Sequence, residues 1–180
     1  MSFDEMQNNG AVREAYLAIQ GWLDGTSLED LQQKRREAEA LFRRIGITFA
    51  VYGEGGDPDR LIPFDLIPRV FSASEWDLID RGVIQRARSL NLFLQDVYGM
   101  MEFFREGLVP ETMLAGNDAY LARMEGFTPP KGVYSHVVGI DLVRTGPEEF
   151  YVLEDNARTP SGVSYVLENR ETMRRLFPDL

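Results

Sequence analysis

The sequence predicts an α+β fold, a helical N-terminal part followed by a small, largely antiparallel sheet. Three observations carry this expectation. Apolar residues recur at helical spacing through most of the chain before Thr128-Pro129-Pro130, and the pattern then changes to β-branched runs around a turn. The order is helices, a strand, more helices, a hairpin and a final helix, which segregates the two kinds of element. With 44% hydrophobic and 27% charged residues in 180, the composition is that of one globular domain or two small ones.

Residues 11–24 place Val12, Tyr16, Ile19 and Leu23 on one helical face, ended by Gly25. Thr26, with Glu29 three residues on, predicts a capping box opening a helix that Gly46 closes. Its stripe is Leu28, Leu31, Ala38, Phe42 and Ile45. Residues 47–52 are β-branched and aromatic, which predicts a strand. The glycine-rich run 53–59 follows. It lacks a Walker pattern and a helix start and holds three carboxylates, so a solvated turn is expected rather than a phosphate cradle.

Pro63 and Pro68 keep residues 61–70 extended. Ser74 with Asp77 predicts the cap of the longest helix, near 75–98, ended by Gly99. Helical character continues through 100–106, and Pro110 and Asn117 open two shorter pieces. Residues 134–145 and 150–156 read as strands around Gly146-Pro147-Glu148-Glu149, and 163–176 as a last helix.

Composition excludes several kinds of chemistry. A net charge of -10 repels phosphate overall and argues against nucleic-acid binding. Cysteine is absent, which removes disulfides, thiolate zinc sites and cysteine nucleophiles together. His136 is the single histidine, better read as structural than catalytic. Of 19 basic residues only Lys34 and Lys131 are lysines. No apolar run reaches the roughly 20 residues that span a bilayer, and residues 1–10 do not resemble a signal peptide. A cytoplasmic protein without a membrane partner is therefore expected.

The hairpin concentrates the chemistry. With Thr145 opposite Phe150, the register sets Asp141 opposite Glu154, and Asn156 shares the Glu154 face. A slip of one residue would separate Asp141 from the other two. The same register puts Val137, Val143, Phe150 and Val152 around the carboxylates, with Val138, Ile140, Leu142 and Leu153 behind. Carboxylates in an apolar patch resist ionisation unless a cation sits between them. Two carboxylates and an amide carbonyl are hard donors suited to Mg²⁺, which completes its octahedron with water and substrate phosphates.

Arg158 lies just beyond, with a planar fork for phosphate or carboxylate. Thr159, Ser161 and the amides near Gly162 add anion donors. The plainer alternative makes Asp141 and Glu154 rim residues of a surface hairpin, Arg158 an ordinary surface arginine and Ser161 a helix cap. A glycosidase pair lacks a sugar platform, and a Ca²⁺ loop lacks its central glycine. Arg81, Arg86 and Arg88 on the long helix could face a ligand, although a solvated face is the more ordinary arrangement for them.

The strings Gly139-Ile-Asp141-Leu-Val-Arg144, Val152-Leu-Glu154-Asp-Asn156 and Thr159-Pro-Ser161-Gly-Val-Ser164-Tyr-Val-Leu-Glu168-Asn-Arg170 resemble the circularly permuted ATP-grasp proteins, relatives of glutathionylspermidine synthase. Pro63-Phe-Asp65-Leu-Ile-Pro68-Arg69, Glu75-Trp76 and the run from Gln85 to Gly99 are also similar to that family. The resemblance covers about residues 47–180, so a segment 1–46 of helical scaffold and a partial ATP-grasp domain 47–180 are expected.

The resemblance implies an ATP-dependent carboxylate–amine ligase working through an acyl phosphate, with Mg²⁺ and ATP as cofactors. It implies metal ligation by Asp141, Glu154 and Asn156, and stabilisation of the transferring phosphoryl group by Arg158. It further implies acceptor-carboxylate binding by Thr159, Ser161 and the Gly162 backbone. The substrates would be small-molecule or peptide carboxylates and amines.

The family's nucleotide-clamping lysines come later than these strands, and Lys34 and Lys131 lie outside the matching motifs. The expectation is therefore an incomplete ligase, finished by a further segment or a second chain. The alternative is a non-catalytic binding or scaffold module that keeps the metal motif.

Overall fold

A computed structural model describes residues 3–49 and 60–178 of the chain. They form an α+β structure in two units, one made of residues 1–73 and 161–180 and the other of 74–160.

The first unit opens on an antiparallel pair, β1 (Gln7–Asn8) and β2 (Ala11–Val12). Asn9 and Gly10 turn it with φ of 51° and 79°, the positive angles that a two-residue hairpin turn requires and that these residue types tolerate. Residues 11–24 are thus helical only in part: a 3-10 turn at Glu14–Tyr16 leads into α1 (Leu17–Asp24).

Helix α2 (Leu28–Ile45) is capped by Ser27, whose side chain accepts from the Asp30 amide. Thr26, the expected cap, instead donates its hydroxyl to the Trp22 carbonyl at 2.6 Å. Gly46 ends the helix in the left-handed region, φ 78°, as expected.

Of the predicted stripe, Ala38 and Phe42 are buried, while Leu28 is 70% exposed. Ala38 packs with Leu176 and Phe177 of α5 (Val163–Leu176) and its C-terminal neighbour, flanked by Trp22, Leu41, Phe64, Leu66 and Met173. Half-buried Lys34 borders this core: its ammonium donates to the Leu176 carbonyl at 2.7 Å and sits over the Phe177 ring. The strand expected at 47–52 is seen as β3 (Thr48–Phe49), paired with β4 (Arg60–Leu61). Ile47 is buried but precedes the strand, and residues 50–52 of that prediction and the loop at 53–59 lie outside the described residues.

The second unit is organised by α3 (Ala73–Val97), which starts one residue before the expected cap Ser74. Met101 then takes a left-handed φ of 55°, so 100–106 is not a continuation but a separate short helix, α4 (Glu102–Arg105). Asp96 nucleates it by accepting from the amides of Glu102 and Phe103 at 2.8 and 3.1 Å. Pro110 opens a 3-10 turn at Glu111–Met113, whereas the next such turn falls at Ala122–Met124 and not at Asn117. The unit ends in the antiparallel hairpin β5 (Gly139–Gly146) and β6 (Glu149–Asn156). Residues 134–138, expected as strand, precede it as a loop, with His136 exposed. No helix of the described residues is long and apolar enough to cross a membrane.

Candidate functional site

The hairpin register joins Asp141 to Glu154 and Gly139 to Asn156. The expected pairing of the two carboxylates is therefore present, reached by a different path. Gly146 pairs with Glu149, but Arg144 pairs with Phe150, Val143 with Tyr151 and Leu142 with Val152. Two irregularities, one between Arg144 and Gly146 and one between Asp141 and Leu142, cancel each other. Thr145 and Leu153 are the extra residues, and each shift exchanges the faces beyond it.

Phe150 and Val152 consequently lie with Ile140 and Leu142, not beside the carboxylates as expected. Together with Leu78 and Gly82 of α3 they line a cavity of about 280 Å³. The carboxylate face is exposed, shared with Val143 and Tyr151, which are 43% and 61% accessible.

On that face Asn156 donates Nδ2 to Glu154 Oε1 at 3.1 Å and to Asp141 Oδ2 at 3.4 Å. The Asp141 carboxyl titrates above its ordinary range, chiefly because Glu154 shares a hydrogen bond with it, then through partial desolvation and the Glu154 charge; Asn156 works against the rise. A carboxyl that holds its proton more tightly when folded adds stability below the ordinary carboxylate range, and this is lost as pH rises through the raised value. Asp141→Asn is therefore expected to unfold at a higher temperature than wild type at neutral pH, with the difference closing below about pH 4. Calorimetry across that range checks it.

Three contacts aim this face. Asp155, between the two donors of β6, points to the opposite side and takes a bidentate pair from Arg86 of α3 at 2.6 and 2.5 Å. That pair holds the Asp155 carboxyl below the usual range. Arg86 is thus tied to the hairpin rather than aimed at a ligand, while its side chain stays 42% exposed.

Asn91 of α3 accepts from the amides of Tyr134 and Ser135 at 2.8 and 2.9 Å and donates to the Ser135 carbonyl at 3.2 Å. Buried Ser135 donates in turn to the Ala157 carbonyl at 2.5 Å, fixing the exit of β6. Gly139 permits this closeness: a Cβ there would sit 3.2 Å from Pro160 Cβ and 3.4 Å from Asn156 Cβ. Asn91→Ala leaves two backbone donors short of an acceptor and is expected to cost about 2–4 kcal/mol. Hydrogen exchange at Tyr134 and Ser135 should accelerate with it.

Arg158 and Thr159 follow β6 in the second unit, both exposed, and the Arg158 side chain has no partner among the described residues. Ser161 and Gly162 open the returning part of the first unit, where Gly162 precedes α5 at φ 94°. No group of three or more His, Cys, Asp or Glu side chains able to hold a metal occurs among the described residues. The hairpin set is two carboxylates and an amide, fewer donors than a closed protein cage. It fits an ion that keeps water and takes further oxygens from a ligand.

An α+β chain that presents hard oxygen donors on one face of an antiparallel hairpin is of a class suited to a hydrated divalent cation. Within that class, a family described as a circularly permuted ATPgrasp matches residues 68–180, and the chain belongs to it. An uncharacterized protein of Mycobacterium leprae is 42% identical over the whole chain, which spans 32% of that protein. One of Synechocystis sp. is 41% identical over 88% of the chain and 33% of its own length. A Frankia alni protein whose name marks it as a proposed glutamate–cysteine ligase is 39% identical, over 99% of the chain and 20% of that protein. The chain spans about a third or less of these relatives.

Proposed function

We propose that this chain supplies the cation-binding part of an ATP-dependent carboxylate–amine ligase, in which an acyl phosphate is displaced by an amine. The observation that supports it most is the opposition of Asp141 and Glu154 with Asn156 beside them on one exposed hairpin face. Family membership and the name of the Frankia relative agree with ligase chemistry.

Asp141 and Glu154 would hold Mg²⁺ through carboxylate oxygens, and Asn156 through Oδ1 after a half-turn of its amide. The ion, when bound, supplies charge neutralisation for the phosphates of ATP. Arg158 would meet charge developing on the transferred phosphoryl group, since its fork carries donors in one plane. Thr159 and Ser161 hydroxyls and the Gly162 amide would hold a substrate carboxylate. Small-molecule or peptide substrates, a second chain completing the ATP site, a cytoplasmic location and the specific likeness to glutathionylspermidine synthase belong to this same proposal.

The test joins the chain to the remaining length of a relative such as the M. leprae protein and measures carboxylate-dependent ADP release. Release is expected, falling about 100-fold or more in Glu154→Gln and Arg158→Gln. No release with any of a broad panel of amino-acid, peptide and dicarboxylate substrates would contradict the ligase reading.

A further inference from the structure

Two of the motifs noted above take no part in the hairpin face: Pro63-Phe-Asp65-Leu-Ile-Pro68-Arg69 and Glu168-Asn169-Arg170. In the first unit they meet. Both line an open cavity of about 830 Å³, with Glu5, Tyr16 and Met173 also on its wall. That is the size of an ordinary small-molecule pocket, an apolar body with a few polar groups.

The polar groups divide into committed and free. Glu5 is satisfied by Arg13 at 3.3 Å and by Arg69 at 3.4 Å. The Tyr16 hydroxyl accepts from the Val70 amide at 2.9 Å. The side chains of Asn169 and Arg170, in contrast, have no partner among the described residues. Asp65 accepts only from the Ile67 amide, at 2.9 Å, and makes no ion pair among those residues.

We infer that this cavity binds a zwitterion with an apolar side chain, a free amino acid or a short peptide. Arg170 and Asn169 receive its carboxylate, Asp65 its ammonium, and Phe64, Ile67 and Met173 its hydrocarbon. The acidic residues on the wall disfavour a polyanion such as a nucleotide, because its charge would face Glu5 and Asp65 as well as the arginines. The inference rests on the first unit alone and does not need the ligase reading.

Isothermal titration of the chain with leucine, with Ala–Leu, and with the C-terminal amide and N-acetyl forms of Ala–Leu tests it. Saturable binding of leucine or Ala–Leu is expected, the tighter of the two identifying the source. Amidation and Arg170→Gln should each weaken it about 10-fold or more, as the loss of a charge-assisted hydrogen bond does. N-acetylation and Asp65→Asn should weaken it also. Arg170 is exposed, so an unchanged unfolding temperature in Arg170→Gln shows that a loss of binding is local. No heat with either ligand up to millimolar concentration, or binding indifferent to amidation and to Arg170→Gln, would overturn it. Neither readout involves ATP or turnover, so its failure is distinct from failure of the ligase proposal.

Discussion

Arg144→Leu should destabilise the second unit by about 3–5 kcal/mol, the loss seen when one partner of a buried ion pair is removed. The Arg144 side chain is only 3% exposed and pairs with Glu75, itself 13% exposed, on α3. It also donates to the carbonyls of Gly146 and Pro147 and lies over the Phe150 ring, 5.1 Å from its centre. One side chain thus ties the hairpin turn to the helix. Leucine would fill part of the volume but remove the cation beside the Glu75 carboxylate and leave two turn carbonyls without that donor.

A double substitution, Glu75→Leu with Arg144→Leu, should recover part of the loss, because the ion pair is then removed whole. Urea unfolding of the two single variants and the double variant gives the coupling directly. A loss under about 1 kcal/mol in Arg144→Leu would mean that the pair behaves as a surface one.

Glu154→Gln and Asn156→Ala should each weaken divalent-cation binding, the first by about 100-fold, since it removes charge from a site with only two carboxylates. Stability should not follow affinity. Glu154 opposes the ionisation of Asp141, so Glu154→Gln relieves repulsion and is expected to leave the unfolding temperature at neutral pH unchanged or raised. Asn156→Asp should do the reverse, tightening cation binding while lowering the metal-free unfolding temperature. A structural role for these side chains predicts that affinity and stability fall together. Titration calorimetry with Mg²⁺ and thermal unfolding of the same variants distinguish the two.

Much of the α+β order could be read from the sequence because caps and glycines punctuate it. Ser27 and Gly46 bracket α2, and Gly99 follows the end of α3. Thr26 and Ser27 are adjacent capping types, and only the structure shows that the second accepts from the helix. Asn9-Gly10 is a strong hairpin signal, but the flanking strands are two residues each, too short for alternation to show.

The carboxylate pairing was legible and its surroundings were not. Pairing counted back from the turn gives Asp141 opposite Glu154 only because the shift at Thr145 is undone at Leu153. A bulge leaves little trace in the composition of a strand, so the faces of Phe150 and Val152 were assigned wrongly. The Arg86–Asp155 and Asn91–Ser135 contacts join residues 69 and 44 positions apart, a separation at which spacing says nothing.

We propose that one hairpin face, Asp141 with Glu154 and Asn156, is a divalent-cation site. Amide spectra of the isotopically labelled chain during addition of substoichiometric Mn²⁺ test it most directly, because paramagnetic broadening marks the residues nearest the ion. Broadening is predicted to begin at Asp141, Glu154 and Asn156, to be reversed by excess Mg²⁺ and to vanish there in Glu154→Gln. Broadening that begins elsewhere on this acidic chain, or that persists on the hairpin in Glu154→Gln, would contradict it.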